Sequence, residues 1–166
     1  MSLLAEDPHV RREGNLMGHR NPALERLDAL LGRWNVQPQV DGVGPAWSEF
    51  TWEEDGAFLR QFTDREPGPD TAGGWGAHAP FPTVTLIGLD DAGEEFTVLY
   101  ADARGVYRVY RMTFDGALWR MWRDAPGFNQ RFTGTLSGDR IDARWELSKD
   151  GAVWDLDFAL TYTRLR

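Results

Sequence analysis

From Arg33 to the C-terminus, apolar and polar positions alternate with a period of two, interrupted at short Gly-containing turns; the stretch before it repeats at helical spacing instead. In "NPALERLDALLGRW" the residues Leu24, Leu27, Leu30 and Leu31 form one stripe. Asn21 suits the N-cap, Pro22 the first helical position and Gly32 the C-terminal stop. This pattern predicts one short amphipathic helix. The alternating region predicts ten strands, near residues 33–40, 45–53, 57–65, 83–90, 94–102, 106–114, 117–124, 128–137, 140–149 and 152–164. Most connections are two or three residues long, which only antiparallel neighbours allow. A meander of that length exposes two long edges unless it closes. The predicted fold is therefore all-β, an up-and-down antiparallel barrel of about ten strands with one short N-terminal helix. Residues 1–20 are polar and aperiodic and read as a flexible tail, leaving 21–166 as a single barrel domain.

The turns set the register, and the register decides which side chains face inward. Asp150-Gly151 at the centre of "KDGAV" is expected to pair Lys149 with Ala152. That places Ile141, Ala143, Trp145 and Leu147 on one face with Trp154, Leu156, Phe158, Leu160 and Tyr162, and turns Asp142, Arg144, Glu146, Asp155 and Asp157 outward. A Gly138-Asp139 turn adds Phe128, Gln130, Phe132 and Leu136 to the inner face. The turns "EDG", "DAG" and "ARG" are expected to align Trp52 with Phe58, Phe50 with Arg60, Val84 with Tyr100, and Tyr100 with Arg108. If "FDGALW" turns like its near-copy "KDGAVW", Phe114 faces Ala117, Met112 faces Trp119, Tyr110 faces Met121 and Arg108 faces Arg123. A three-residue turn would instead bring Arg120 inward. The Gly- and Pro-rich stretch at 65–82, with Trp75, His78 and Phe81, is too long for a hairpin and reads either as a lid or as a surface insertion.

Composition narrows the chemistry. A hydrophobic fraction of 42% with 8 Trp, 9 Phe and 4 Tyr excludes a disordered chain. The net charge of −8 and the absence of a Lys/Arg cluster argue against nucleic acid. There is no cysteine, hence no disulfide, thiolate nucleophile or Cys-ligated metal. No run of 18 apolar residues and no apolar signal core is present, so no membrane insertion and a cytoplasmic location are expected. No phosphate loop, dinucleotide fingerprint or hydrolase motif occurs, and the histidines fall at His9, His19 and His78, away from every predicted strand. An inward metal site or a Ser-His-Asp triad is thus disfavoured, and no metal is expected.

What remains on the predicted inner face is Arg60, Tyr100, Arg108, Tyr110, Gln130 and either Arg123 or Arg120, among Trp52, Phe58, Met112, Trp119, Phe132, Trp145 and Phe158. Guanidiniums amid aromatics need a carboxylate, a wet cavity or an anionic ligand. One reading is an apolar cavity with an anion clamp inside it. The other has Glu49 or Glu53 reaching Arg60 at a barrel mouth while the remaining arginines end in solvent.

The segments "ALERLDALLGRWNV", "FTWEEDGAFLRQ", "LIGLDD", "RGVYRVYRMTFDGALW" and "FNQRFTGTLSGDRIDARWELSKDGAVWDLDFALTYTR" resemble an uncharacterised family of bacterial lipocalin-like proteins, over roughly residues 23 to 164. The resemblance implies a calycin-type barrel with a short N-terminal helix, related in architecture to lipocalins, fatty-acid-binding proteins and haem-binding nitrobindins. It also implies that Trp34, in "GRW", closes one end. Nitrobindins hold haem through an inward His on a late strand; residues 140–164 contain none, so haem and other cofactors are not expected, with His78 as the one alternative ligand. The stretch at 65–82 looks longer than is usual in that family, and no catalytic residue carries over. The expected function is binding of a small apolar or amphipathic ligand, with its anionic group near Arg108. A hydrolase or isomerase using Arg and Tyr to stabilise an oxyanion is the second class, weakened by the lack of an inward base. A filled-barrel structural or interaction protein, dimeric through an edge or outer apolar patch, is the third.

Overall fold

Each alternating run forms a strand. In the computed structural model, which describes residues 20–66, 78–90, 93 and 95–166, the strands are β1 (Gly32–Pro38), β2 (Ala46–Glu53), β3 (Phe58–Arg65), β4 (Thr83–Leu89), β5 (Phe96–Asp102), β6 (Tyr107–Phe114), β7 (Leu118–Arg123), β8 (Asn129–Ser137), β9 (Arg140–Ser148) and β10 (Asp155–Arg164). Every strand pairs antiparallel with its sequence neighbours, and β1 pairs with β10 to close the barrel. The part of the long connection at 67–77, with Trp75, and the N-terminal tail at 1–19 lie outside the described residues.

The leucine stripe seals one end. Asn21 caps as expected, its Oδ1 accepting from the Ala23 amide at 2.9 Å. The helix is α-helical only over Pro22–Glu25 and then tightens to a 3-10 helix over Arg26–Leu30. Side chains three apart eclipse in that geometry. Leu24, Leu27 and Leu30 therefore share the buried face, while Leu31 is only half-buried. Behind them Trp34 is fully buried, and its Nε1 donates to the Leu30 carbonyl at 2.8 Å. The Arg164 guanidinium lies 4.0 Å over the Trp34 ring and donates to the carbonyls of Ala29, at 2.7 Å, and Leu31. Helix, first strand and last strand are thus clasped by one Trp–Arg stack. Phe50, Phe96, Met112 and Phe114 fill the space between this plug and the middle of the barrel.

Turn lengths decide which registers differ from expectation. Tyr100 pairs with Arg108, and Ser137 with Arg140, as predicted. The β2–β3 turn is one residue longer, with Glu54 and Asp55 at positive φ, so Trp52 pairs with Leu59, Phe50 with Gln61 and Arg60 with Thr51. One residue of slip exchanges the faces of a strand. The β4–β5 turn slips likewise: Thr85, not Val84, pairs with Tyr100. At "FDGALW" the pairing shifts by two, putting Phe114 opposite Trp119 and Met112 opposite Met121, which preserves the faces and leaves Arg120 exposed. Asp115 causes the shift, since its Oδ1 accepts from the amides of Ala117 and Leu118 and moves the turn along by one residue. Asp150 does the same for Ala152 and Val153 in the near-copy.

The last hairpin carries the largest departure. Leu156 pairs with Glu146, but the next pair is Phe158 with Trp145, so Asp157 is an extra residue in a β-bulge. Leu156 and Trp154, expected inside, are outside: Leu156 is 63% exposed, and Trp154 lies beneath the Arg131 guanidinium at 4.3 Å.

Candidate ligand-binding site

Opposite the plug the barrel is hollow. A cavity of about 240 Å³ extends from the middle of the barrel towards the end formed by the β1–β2, β3–β4, β5–β6 and β7–β8 connections. Its inner part is aromatic: Trp119, Phe132, Trp145 and Phe158. These rings pack edge-on or tilted, with Trp119 and Phe132 centroids 4.7 Å apart and Phe132 and Trp145 centroids 5.2 Å apart. The Trp119 indole N–H is buried without an acceptor among the described residues.

Strands β3 and β4 line the cavity with a polar strip, Gln61, Thr63, Thr83 and Thr85. Its β3 half is bonded to Ser48 of β2. Gln61 Nε2 donates to Ser48 Oγ at 2.9 Å, and the Ser48 and Thr63 hydroxyls are 2.7 Å apart. The sequence reading missed these residues because the one-residue slips at the β2–β3 and β4–β5 turns bring them inward.

The basic wall comes from β5, β6 and the turn between them, with Gln130 added from β8. Tyr100, Arg104, Arg108, Tyr110 and Gln130 all line the cavity. Tyr110 donates its hydroxyl to Gln130 Oε1 at 2.9 Å, and burial pushes its ionisation up, against the pull of the Arg108 and Arg123 guanidiniums beside it. Arg108 is half-buried, 5.9 Å above the Tyr100 ring and 5.2 Å from Phe128. Among the described residues no carboxylate lies within ion-pairing distance of Arg108 or Arg123.

Arg104 differs from Arg108. Its Nη2 meets Asp102 Oδ2 at 2.6 Å, and Tyr100 donates to the same oxygen at 2.8 Å. The Asp102 side chain is fully shielded from solvent. Burial alone would raise its pKa, but the hydrogen bonds from Arg104, Tyr100 and the Arg104 amide outweigh that and hold it at about 2. A depressed carboxylate stabilises the fold above its unfolded pKa of about 3.8 and loses that contribution as pH falls through about 2. Acid unfolding of Asp102→Asn, followed by circular dichroism, is expected to be flatter between those two values than that of the native protein. Superimposable profiles would remove Asp102 from the acid response.

Eight of the residues expected from sequence line the cavity: Tyr100, Arg108, Tyr110, Trp119, Gln130, Phe132, Trp145 and Phe158. Four do not. Arg60 faces outward over Phe62 at 5.1 Å, because of the β2–β3 slip. Trp52 stands at the plugged end, its Nε1 donating to Asp28 Oδ1 at 2.8 Å. Met112 is fully buried in the packing above the plug. Arg123 stands behind Tyr110, opposite Gln130, without lining the cavity. His78 is exposed, with its carbonyl accepting from Arg104 Nη1 at 3.4 Å.

The residue least expected inside is Asp157. The β10 bulge places it in the cavity lining, half-buried, and burial raises its pKa, with no cation among the described residues to offset the effect. The inner wall therefore does carry a carboxylate, where strict alternation along β10 had turned Asp157 outward.

No family model matches the chain, and no curated protein matches it. Among solved structures, the crystal structure of Rv2717c from M. tuberculosis is similar, with a TM-score of 0.54 and 16% sequence identity over 89% of this chain and 99% of that one. At that identity the likeness concerns the fold. Among the described residues no group of side chains is arranged to hold a metal ion, and no helix is long and apolar enough to cross a membrane.

Proposed function

We propose that the protein binds a small amphipathic molecule inside the barrel, in the manner of a lipocalin-like carrier, and that Arg108 receives the ligand's anionic group. The observation that carries this reading is Arg108 itself: a half-buried guanidinium in the lining of an aromatic cavity, with no carboxylate partner among the described residues. A buried charge without a counter-charge is unfavourable, and an anionic ligand removes that penalty. The rings of Tyr100 and Phe128 flank the guanidinium, whose planar fork suits a carboxylate or phosphate. The cavity lies just below the roughly 300–1,000 Å³ typical of ligand pockets, which favours a short chain or a single ring.

The test compares hexanoate with 1-hexanol, two probes of one length that differ in charge. Trp119 and Trp145 line the cavity and report occupancy by fluorescence. Hexanoate is expected to bind about tenfold or more tightly than the alcohol, the preference a charge-assisted hydrogen bond provides. Equal affinities for the two would sink the anion site.

A further inference from the structure

Besides Arg108 and Arg104, which Asp102 neutralises, the cavity lining carries a charged group that the anion site does not use. Asp157 is displaced inward by the β10 bulge, lines the cavity, and makes no hydrogen bond or ion pair among the described residues. Around the ten-strand ring, β10 and β6 are separated by β9, β8 and β7, so Asp157 and Arg108 stand on nearly opposite walls. Both belong to the open half of the barrel, with the rings of Phe132 and Trp145 on the intervening strands. Two unpaired groups of opposite sign thus face one apolar space and do not neutralise each other.

We propose that Asp157 is a second recognition pole of this cavity and that the ligand is bipolar, presenting a protonated amine to Asp157 and an acidic group to Arg108. The inference rests on the reading of Arg108 as the anion site and extends it to the ligand's other end. A carboxylate that gains an ammonium partner recovers the interaction energy that burial removed from it. An apolar ligand, or one with a single anionic end, would leave that carboxylate desolvated and unpaired, and a purely anionic ligand would in addition be repelled by it. A bulge that re-aims one side chain into a binding site is a recurrent device in sheets.

Calorimetric titration with hexanoate, hexylamine, 6-aminohexanoate and 1-hexanol tests this on the full chain. The native protein is expected to bind 6-aminohexanoate about tenfold more tightly than hexanoate. Asp157→Asn, close in size to the native residue, is expected to erase that preference while retaining hexanoate binding. Comparable affinities for hexanoate and 6-aminohexanoate in the native protein, or a preference that survives in Asp157→Asn, overturn the second pole. The native comparison does not depend on the variant's folding. Should hexanoate bind no better than 1-hexanol, the anion site fails separately. The acidic pole then stands if hexylamine binds more tightly than 1-hexanol, and falls if it does not.

Discussion

Trp34→Ala is expected to lower the unfolding free energy by about 3–5 kcal/mol, the range for emptying a fully buried large aromatic site. Three consequences of the substitution add in the same direction. A void opens between the helix and the barrel floor, where Leu27 and Leu30 are fully buried. The Leu30 carbonyl loses the donor that Trp34 Nε1 supplies at 2.8 Å. Arg164 loses the ring beneath its guanidinium while still reaching for Ala29 and Leu31. Urea unfolding followed by far-ultraviolet circular dichroism measures the loss. Trp34→Phe keeps most of the packing and removes the hydrogen bond, so it should cost much less. A Trp34→Ala protein within about 1 kcal/mol of native would mean that the plug contributes little to the fold.

Arg108→Ala is the largest effect expected on binding. If the guanidinium meets the ligand's anionic group directly, its loss should weaken hexanoate by roughly 10- to 150-fold, which corresponds to the worth of a charged hydrogen bond. Binding of 1-hexanol should stay nearly unchanged. Arg108→Lys should fall between, because an ammonium keeps the charge but not the planar fork that lies near the rings of Tyr100 and Phe128. The measurement is the hexanoate titration already described, repeated on each variant. Equal weakening of both probes in Arg108→Ala would point to lost packing and not to a lost counter-charge.

The strands were legible in the sequence because alternation is a local signal, and so was the closed barrel, because unpaired edges are costly. Faces were legible only where the turn was. Gly138-Asp139 and "ARG" gave the observed pairings of Ser137 with Arg140 and Tyr100 with Arg108, but the expected pairing of Arg108 with Arg123 is not formed, because the two-residue shift at "FDGALW" puts Trp122 opposite Arg111 and leaves Arg123 opposite Gln130. The β2–β3 turn was not legible, since positive φ at Glu54 and Asp55 as well as Gly56 is not something those residue types announce. That one residue moved Arg60 out and Gln61 in. Asp157 was hidden for a different reason. "WDLDF" alternates cleanly, and nothing local reveals that the turn held by Asp150 and the inward run Phe158, Leu160, Tyr162 are out of phase. The mismatch is absorbed by the bulge, a property of the whole hairpin.

The plug at the Trp34 end has a kinetic consequence. With one end filled by packed side chains, a ligand of the proposed kind would arrive and leave at the other end, where Val40, Phe81, Arg104 and Phe128 stand among the described residues. Both rate constants then contain the same barrier, and microscopic reversibility ties them together. A side chain at the opening that touches the ligand only in passage sets how long the cavity stays occupied and how fast it refills, in equal proportion. Wall contacts would set the equilibrium affinity, while the rim would scale entry and exit together, so exchange could be slowed or hastened here without changing affinity.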